Sequence, residues 1–279
     1  MREEDRRRDQ AASHRLTSSE VFFPERDGCG FAVAAPLRRY LWKVAQTELL
    51  ERGELYFLYM PRVRPGGALP LALDDGLIRL RDVQRLYLLL RPERRSTYRR
   101  LLVGRKRMPD PQRRQRFWVE IERVERSAAA ILQDLHRFEY ETKTRGRRLQ
   151  PAGKSAGEGV YALLRHDSHA HLTYRLTDPA SPGQVQRALG ILPRASYIAA
   201  AFNPDAPPRL GRRPPDVATP PSVLREKFGD KRFAPLDPDL LDVEGLELVL
   251  IGTPGTAEEE TGIGRGTDSG GRSSQLAQR

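Results

Sequence analysis

Residues 117–138 read FWVEIERVERSAAAILQDLHRF, and two structural periods meet inside them. Phe117, Val119 and Ile121 share one face of an extended chain while Glu120 and Glu122 take the other, the pattern of a half-buried antiparallel strand. At Ser127 the period changes. The hydroxyl is placed to cap a helix over 127–138, whose Ile131, Leu132 and Leu135 form an apolar stripe. A strand that covers one side of a core and then gives way to a helix predicts antiparallel sheet with helices packed against it.

The segments on either side extend this pattern. LYFLYM (55–60), VQRLYLLL (83–90) and RRLLVG (99–104) are rich in branched and aromatic residues and bounded by Pro or Gly, and they read as strands. On the C-terminal side, GVYALLRH (159–166) and HAHLTYRL (169–176) predict a hairpin turning at Asp167 and Ser168. A short helix at 182–189, a strand SYIAAAF (196–202), a helix at 222–228, a strand at 231–234 and a last strand LELVLIG (246–252) follow. Residues 36–52 carry Leu37, Leu41, Val44, Ala45 and Leu49 at near-helical spacing, with Gly53 as a stop, and predict a helix. Strands come in runs with helices between the runs, so the expected fold class is α+β, mainly antiparallel, in two strand-rich halves. The halves are 21–142 and 143–252, joined through a Gly/Ser connection at 141–159. Residues 1–20 and 253–279 are too polar to bury and are expected to be disordered, and the Pro-rich stretch 206–221 to be an exposed loop.

Charge is unevenly spread. The chain of 279 residues has a net charge of +11, and 42 of its 48 basic residues are arginine. An arginine skew of this kind is a mark of GC-rich coding and weakens any inference from the pI alone. The distribution says more: residues 79–148 hold 21 basic and 9 acidic side chains, whereas the segments before and after are close to neutral. A local positive field of this size points to an anionic partner, nucleic acid first. The expected contact residues are Arg99, Arg100, Arg105, Lys106, Lys143, Arg145, Arg147, Arg148 and Lys154, within or just after the basic segment 91–148.

Other chemistry is ranked below this. Gly153-Lys154-Ser155 resembles the end of a nucleotide-binding loop, but the first glycine of that motif would fall on Arg148, and a strand follows where a helix is required. What remains is a basic Gly-rich connection suited to an anion. His166, His169 and His171 share the polar face of the predicted hairpin and could ligate zinc, which gives the rival reading of a metal-dependent hydrolytic enzyme. A structural or assembly protein is the third reading. The single cysteine, Cys29, excludes an intramolecular disulfide and suits a reduced cytoplasmic setting. No apolar run reaches the length of a membrane span, so a soluble protein without a resident cofactor is expected.

Overall fold

The structure, a computed structural model, describes residues 47–66, 79–166, 168–206 and 221–254. The predicted termini, Cys29, most of the 36–52 helix and most of the Pro-rich stretch lie outside them. The elements run β1 (Thr47–Pro61), β2 (Arg64–Pro65), β3 (Val83–Pro92), β4 (Tyr98–Val103), β5 (Arg116–Glu125), α1 (Ala128–Leu132), β6 (Phe138–Thr142), β7 (Gly146–Gln150), β8 (Lys154–His166), β9 (His169–Asp178), α2 (Gln184–Leu189), β10 (Arg194–Phe202), α3 (Ser222–Glu226), β11 (Phe233–Pro235) and β12 (Glu247–Gly252).

Strands dominate. They make up 52% of the structure against about 13% helix, and eight of them close into an antiparallel β-barrel, which corrects the expected α+β class to mainly β. Around the barrel the order is β1-β3-β4-β5-β12-β10-β9-β8, with β8 returning to β1. The strand-rich halves read from the sequence each supply four staves to this one sheet, and they meet where β8 pairs with β1 and where β12 pairs with β5. β11 extends the barrel wall on β10 beyond the end of β9. A separate three-stranded ribbon, in the order β2-β7-β6, stands beside it.

Alternation explains why the barrel has a packed interior. Leu55, Phe57 and Tyr59 of β1, Leu86, Leu88 and Leu90 of β3, and Val119 and Ile121 of β5 all point inward and are buried. From the other half come Tyr161 and Leu163 of β8, Leu172 and Tyr174 of β9, and Leu248 and Leu250 of β12. Each such side chain contributes about 1.5–3 kcal/mol by leaving water. Large and small residues interdigitate: β10 presents Ala195, Ala199 and Ala201 around a single large Tyr197. This leaves room for Tyr174, which stacks on Tyr197 at 6.3 Å and meets Phe57 edge-on at 5.2 Å. Burial holds the Tyr174 hydroxyl at a pKa of about 12, and its oxygen accepts a hydrogen bond from the Leu192 N–H.

Two local expectations are corrected. The helix at 36–52 gives way to strand from Thr47, because β1 finds partners on both edges and pairing outweighs a helical stripe of leucines. The helix at 127–138 is capped as expected, the Ser127 hydroxyl accepting from the Ala130 N–H at 3.2 Å. It ends at Leu132, continues as one 3-10 turn, and Phe138 already belongs to β6. Among the described residues no helix is long and apolar enough to cross a membrane.

Candidate nucleic-acid interface

The basic segment separates into cations that the fold consumes and cations that it displays. Arg99 points into the barrel and is fully buried. It donates to Glu51 at 2.6 Å, to Asp242 at 2.6 Å and to the Pro238 carbonyl at 3.0 Å. The Tyr161 hydroxyl donates to the same Glu51 oxygen at 2.7 Å. Burial first, and the Glu51 carboxylate second, hold that hydroxyl above the ordinary tyrosine range, so its proton stays on oxygen.

Arg100 points the opposite way and is covered by α1 and the turn after it. It donates to Glu122, to both oxygens of Asp134 and to the Ile131 carbonyl, with its guanidinium 5.1 Å from the centre of the Tyr87 ring. Its hydrogen bonds hold the Asp134 carboxyl below its usual pKa. Arg99 and Arg100 are therefore structural, and the expectation that they contact a partner is corrected. Their carboxylates come from distant parts of the chain, which composition could not reveal.

The displayed cations begin at residues 104–116, the β4–β5 connection with the first residue of β5, where six side chains are basic and only Asp110 is acidic. This loop closes one barrel end and is fixed by its backbone. Met108 N–H donates to the Leu189 carbonyl at 2.8 Å, Gln115 N–H to the Asp110 carbonyl at 3.1 Å, and Gly252 N–H to the Gln115 carbonyl at 2.9 Å. Met108, Pro109 and Pro111 are buried beneath it. Lys106 and Arg114 adopt left-handed backbone, which turns the chain sharply at both places. Lys106 is turned inward and donates to the Val83 carbonyl at 2.9 Å.

Outward from this scaffold stand Arg105, Arg113, Arg114 and Arg116, all exposed. Arg113 lies 3.6 Å from Asp110, whereas Arg105, Arg114 and Arg116 have no carboxylate partner among the described residues. Arg105 and Arg107 hold their guanidinium groups 5.8 and 6.0 Å from the Phe117 ring centre.

The second display is the ribbon. Residues 141–159, expected as a flexible connection, are mostly strand: β7 pairs with β6 and with β2, and β8 starts at Lys154. Lys143 and Arg145 are exposed in the β6–β7 turn. Arg147 is exposed but engages Glu139 at 2.6 Å, and Arg148 is half-buried opposite Tyr140. Lys154 is half-buried at the head of β8. Beside these cations stand two exposed aromatics, Phe138 and Tyr140, which the sequence reading did not single out. The alternation of FEYET over 138–142 is the signal that could have found them.

The histidine hairpin has the expected register, with His166 opposite His169 and His171 opposite Leu164. Asp167 lies outside the described residues. The rings of His166 and His171 are perpendicular, 6.4 Å apart. His171 is buried with Nδ1 3.4 Å from the Ser196 hydroxyl, and the exposed His169 has Nδ1 3.2 Å from the Ser168 hydroxyl. Among the described residues no group of three His, Cys, Asp or Glu side chains is set to hold a metal ion.

No protein-family model matches this chain, and neither a curated protein nor a solved structure matches it significantly. The surface offers guanidinium groups on a hydrogen-bonded loop and flat rings on a ribbon, suited to non-covalent contact with phosphates and aromatic bases.

Proposed function

We propose that this protein binds nucleic acid in the cytoplasm through the surface formed by residues 104–116 and the β6–β7 ribbon, and that binding rather than catalysis is its activity. One observation carries the reading. The β4–β5 connection and the first residue of β5 hold Arg105, Arg114 and Arg116 outward on hydrogen-bonded backbone, with no carboxylate partner among the described residues. Several other arginines of residues 79–148 are paired with carboxylates, Arg85 with Glu122 and Arg91 with Glu54, for example. A loop with a fixed backbone loses little main-chain freedom on meeting phosphate, and each guanidinium group that neutralises one releases condensed counterions from the polymer.

The test is fluorescence anisotropy of a labelled oligonucleotide against the full chain over a range of salt concentrations. Affinity should fall steeply as salt rises. Arg105→Glu with Arg116→Glu should weaken binding and lower the slope of log affinity against log salt by about 2 for a duplex, close to 0.9 for each lost phosphate contact. Absence of binding at low salt, or a salt-independent affinity, overturns the reading.

A further inference from the structure

The ribbon separates its charges from its rings. Cross-strand partners share a face, so the pairs Phe138–Gln150, Tyr140–Arg148 and Thr142–Gly146 lie on one side, and Glu139–Leu149 and Glu141–Arg147 on the other. Both carboxylates of β6 thus point away from the rings. Glu139 is engaged on its own side by Arg147 at 2.6 Å and by Arg137 at 3.4 Å. The face with the rings has Arg148 directly across from Tyr140 and ends at the turn bearing Lys143 and Arg145.

Phe138 is 51% exposed and Tyr140 38%, with ring centres 5.7 Å apart and planes tilted by 35°. A single exposed ring needs no explanation. Two neighbouring rings on a basic ribbon face that has no carboxylate among the described residues leave apolar surface in water beside cations, and a polyanion with flat apolar groups complements both features. A second copy of the chain would instead bring like charges together.

We propose that the Phe138–Tyr140–Arg148 face is a stacking platform for unpaired bases, so that the nucleic acid taken is single-stranded. This rests on the reading of the protein as a nucleic-acid binder and names the form of the polymer. Every base has a π-face, so the platform selects for exposed bases rather than for sequence. In a duplex those faces are covered by neighbouring base pairs, and only the phosphates remain for the loop arginines.

Three labelled probes of equal length test this against the full chain at one ionic strength: oligothymidine, oligouridine and a DNA duplex. The wild type should favour the single strands, and whichever of the two binds more tightly identifies the polymer. Phe138→Ala with Tyr140→Ala should weaken single-strand binding by about tenfold or more and leave duplex binding unchanged. Phe138→Trp should keep single-strand affinity, and an unchanged melting curve of the alanine variant shows that its fold is intact.

If the wild type binds none of the probes, both the function and the platform fall. If it binds them but the alanine variant is unaffected, or loses single strand and duplex equally, only the platform falls. A wild-type dimer that the alanine pair converts to monomer assigns the face to self-association and also overturns the platform.

Discussion

Arg99 and Arg100 are adjacent in the chain, point to opposite faces of β4, and are both buried. Burying a guanidinium is costly unless all its donors are used and a carboxylate sits within hydrogen-bond reach. For Arg99 that requires Glu51 from β1 and Asp242 from the turn before β12. Removing the arginine alone leaves Glu51, 7% exposed, with only the longer contact to Arg95 at 3.9 Å as a compensating cation. Arg99→Met should therefore cost about 3–5 kcal/mol in urea unfolding. Adding Glu51→Gln, which keeps an acceptor for Tyr161, should restore at least half of the loss. Arg105→Ala, at an exposed site with no ion pair, should shift stability by no more than about 0.5 kcal/mol. A loss near that small value for Arg99→Met would refute the buried network. None of this was legible in the sequence, where an Arg-Arg pair in a basic segment reads as surface. Of residues 104–116 the sequence singled out Arg105 and Lys106, of which Lys106 turns inward, but not Arg114 or Arg116, although the Pro and Gly residues around them announce a loop.

Among the elements, the strands with strict alternation were legible, because each has one face in a core and residue type follows the face. That holds for β5 and β8, whereas β3, β9 and β12 are buried on both faces over much of their length and were legible as runs of branched and aromatic residues. The segments misread were those whose structure comes from partners. β1 begins inside a helix-like leucine pattern, and β7 is a Gly/Arg stretch that becomes strand only by pairing with β6. The Gly-Lys-Ser triplet is likewise no phosphate loop: the Gly153 N–H donates to the Leu135 carbonyl at 2.7 Å, and Lys154 and Ser155 open β8.

Close backbone approach was also invisible. At Gly159 of β8 a Cβ would lie 2.2 Å from the Arg175 carbonyl oxygen of the paired β9. Gly159→Ala must therefore push the two strands apart, at a cost of about 1–3 kcal/mol by thermal or urea unfolding. A fully stable Gly159→Ala protein would mean that the β8–β9 register is not the one described.

At the scale of the whole molecule, closure decides the fold, and closure has no local signature. Each half contains four staves and enough turns to read as a small α+β unit. What makes them one barrel is pairing between β1 and β8 and between β5 and β12, across long stretches of chain. The two barrel ends also use their arginines differently. Arg99, near the start of β4, sits among Glu51 and Asp242, while Arg105, Arg114 and Arg116, beyond the end of the same strand, have no carboxylate partner among the described residues.

Separating the halves at 142/143 would open both seams and leave β1, β5, β8 and β12 as unpaired edges. It would expose Leu55, Phe57, Leu88 and Val119 on one sheet and Tyr161, Leu172, Tyr197 and Leu250 on the other. It would also split Arg99 from Asp242. Neither fragment 21–142 nor fragment 143–254 should then unfold cooperatively or give dispersed amide resonances alone, since an open sheet with one bare apolar face aggregates. Co-expression should recover a soluble complex with the melting behaviour of the intact chain, because every seam can re-form between the two pieces. A cooperative melt from either fragment alone would show that a half holds its own core, and the barrel would then be an association of two domains rather than one folding unit.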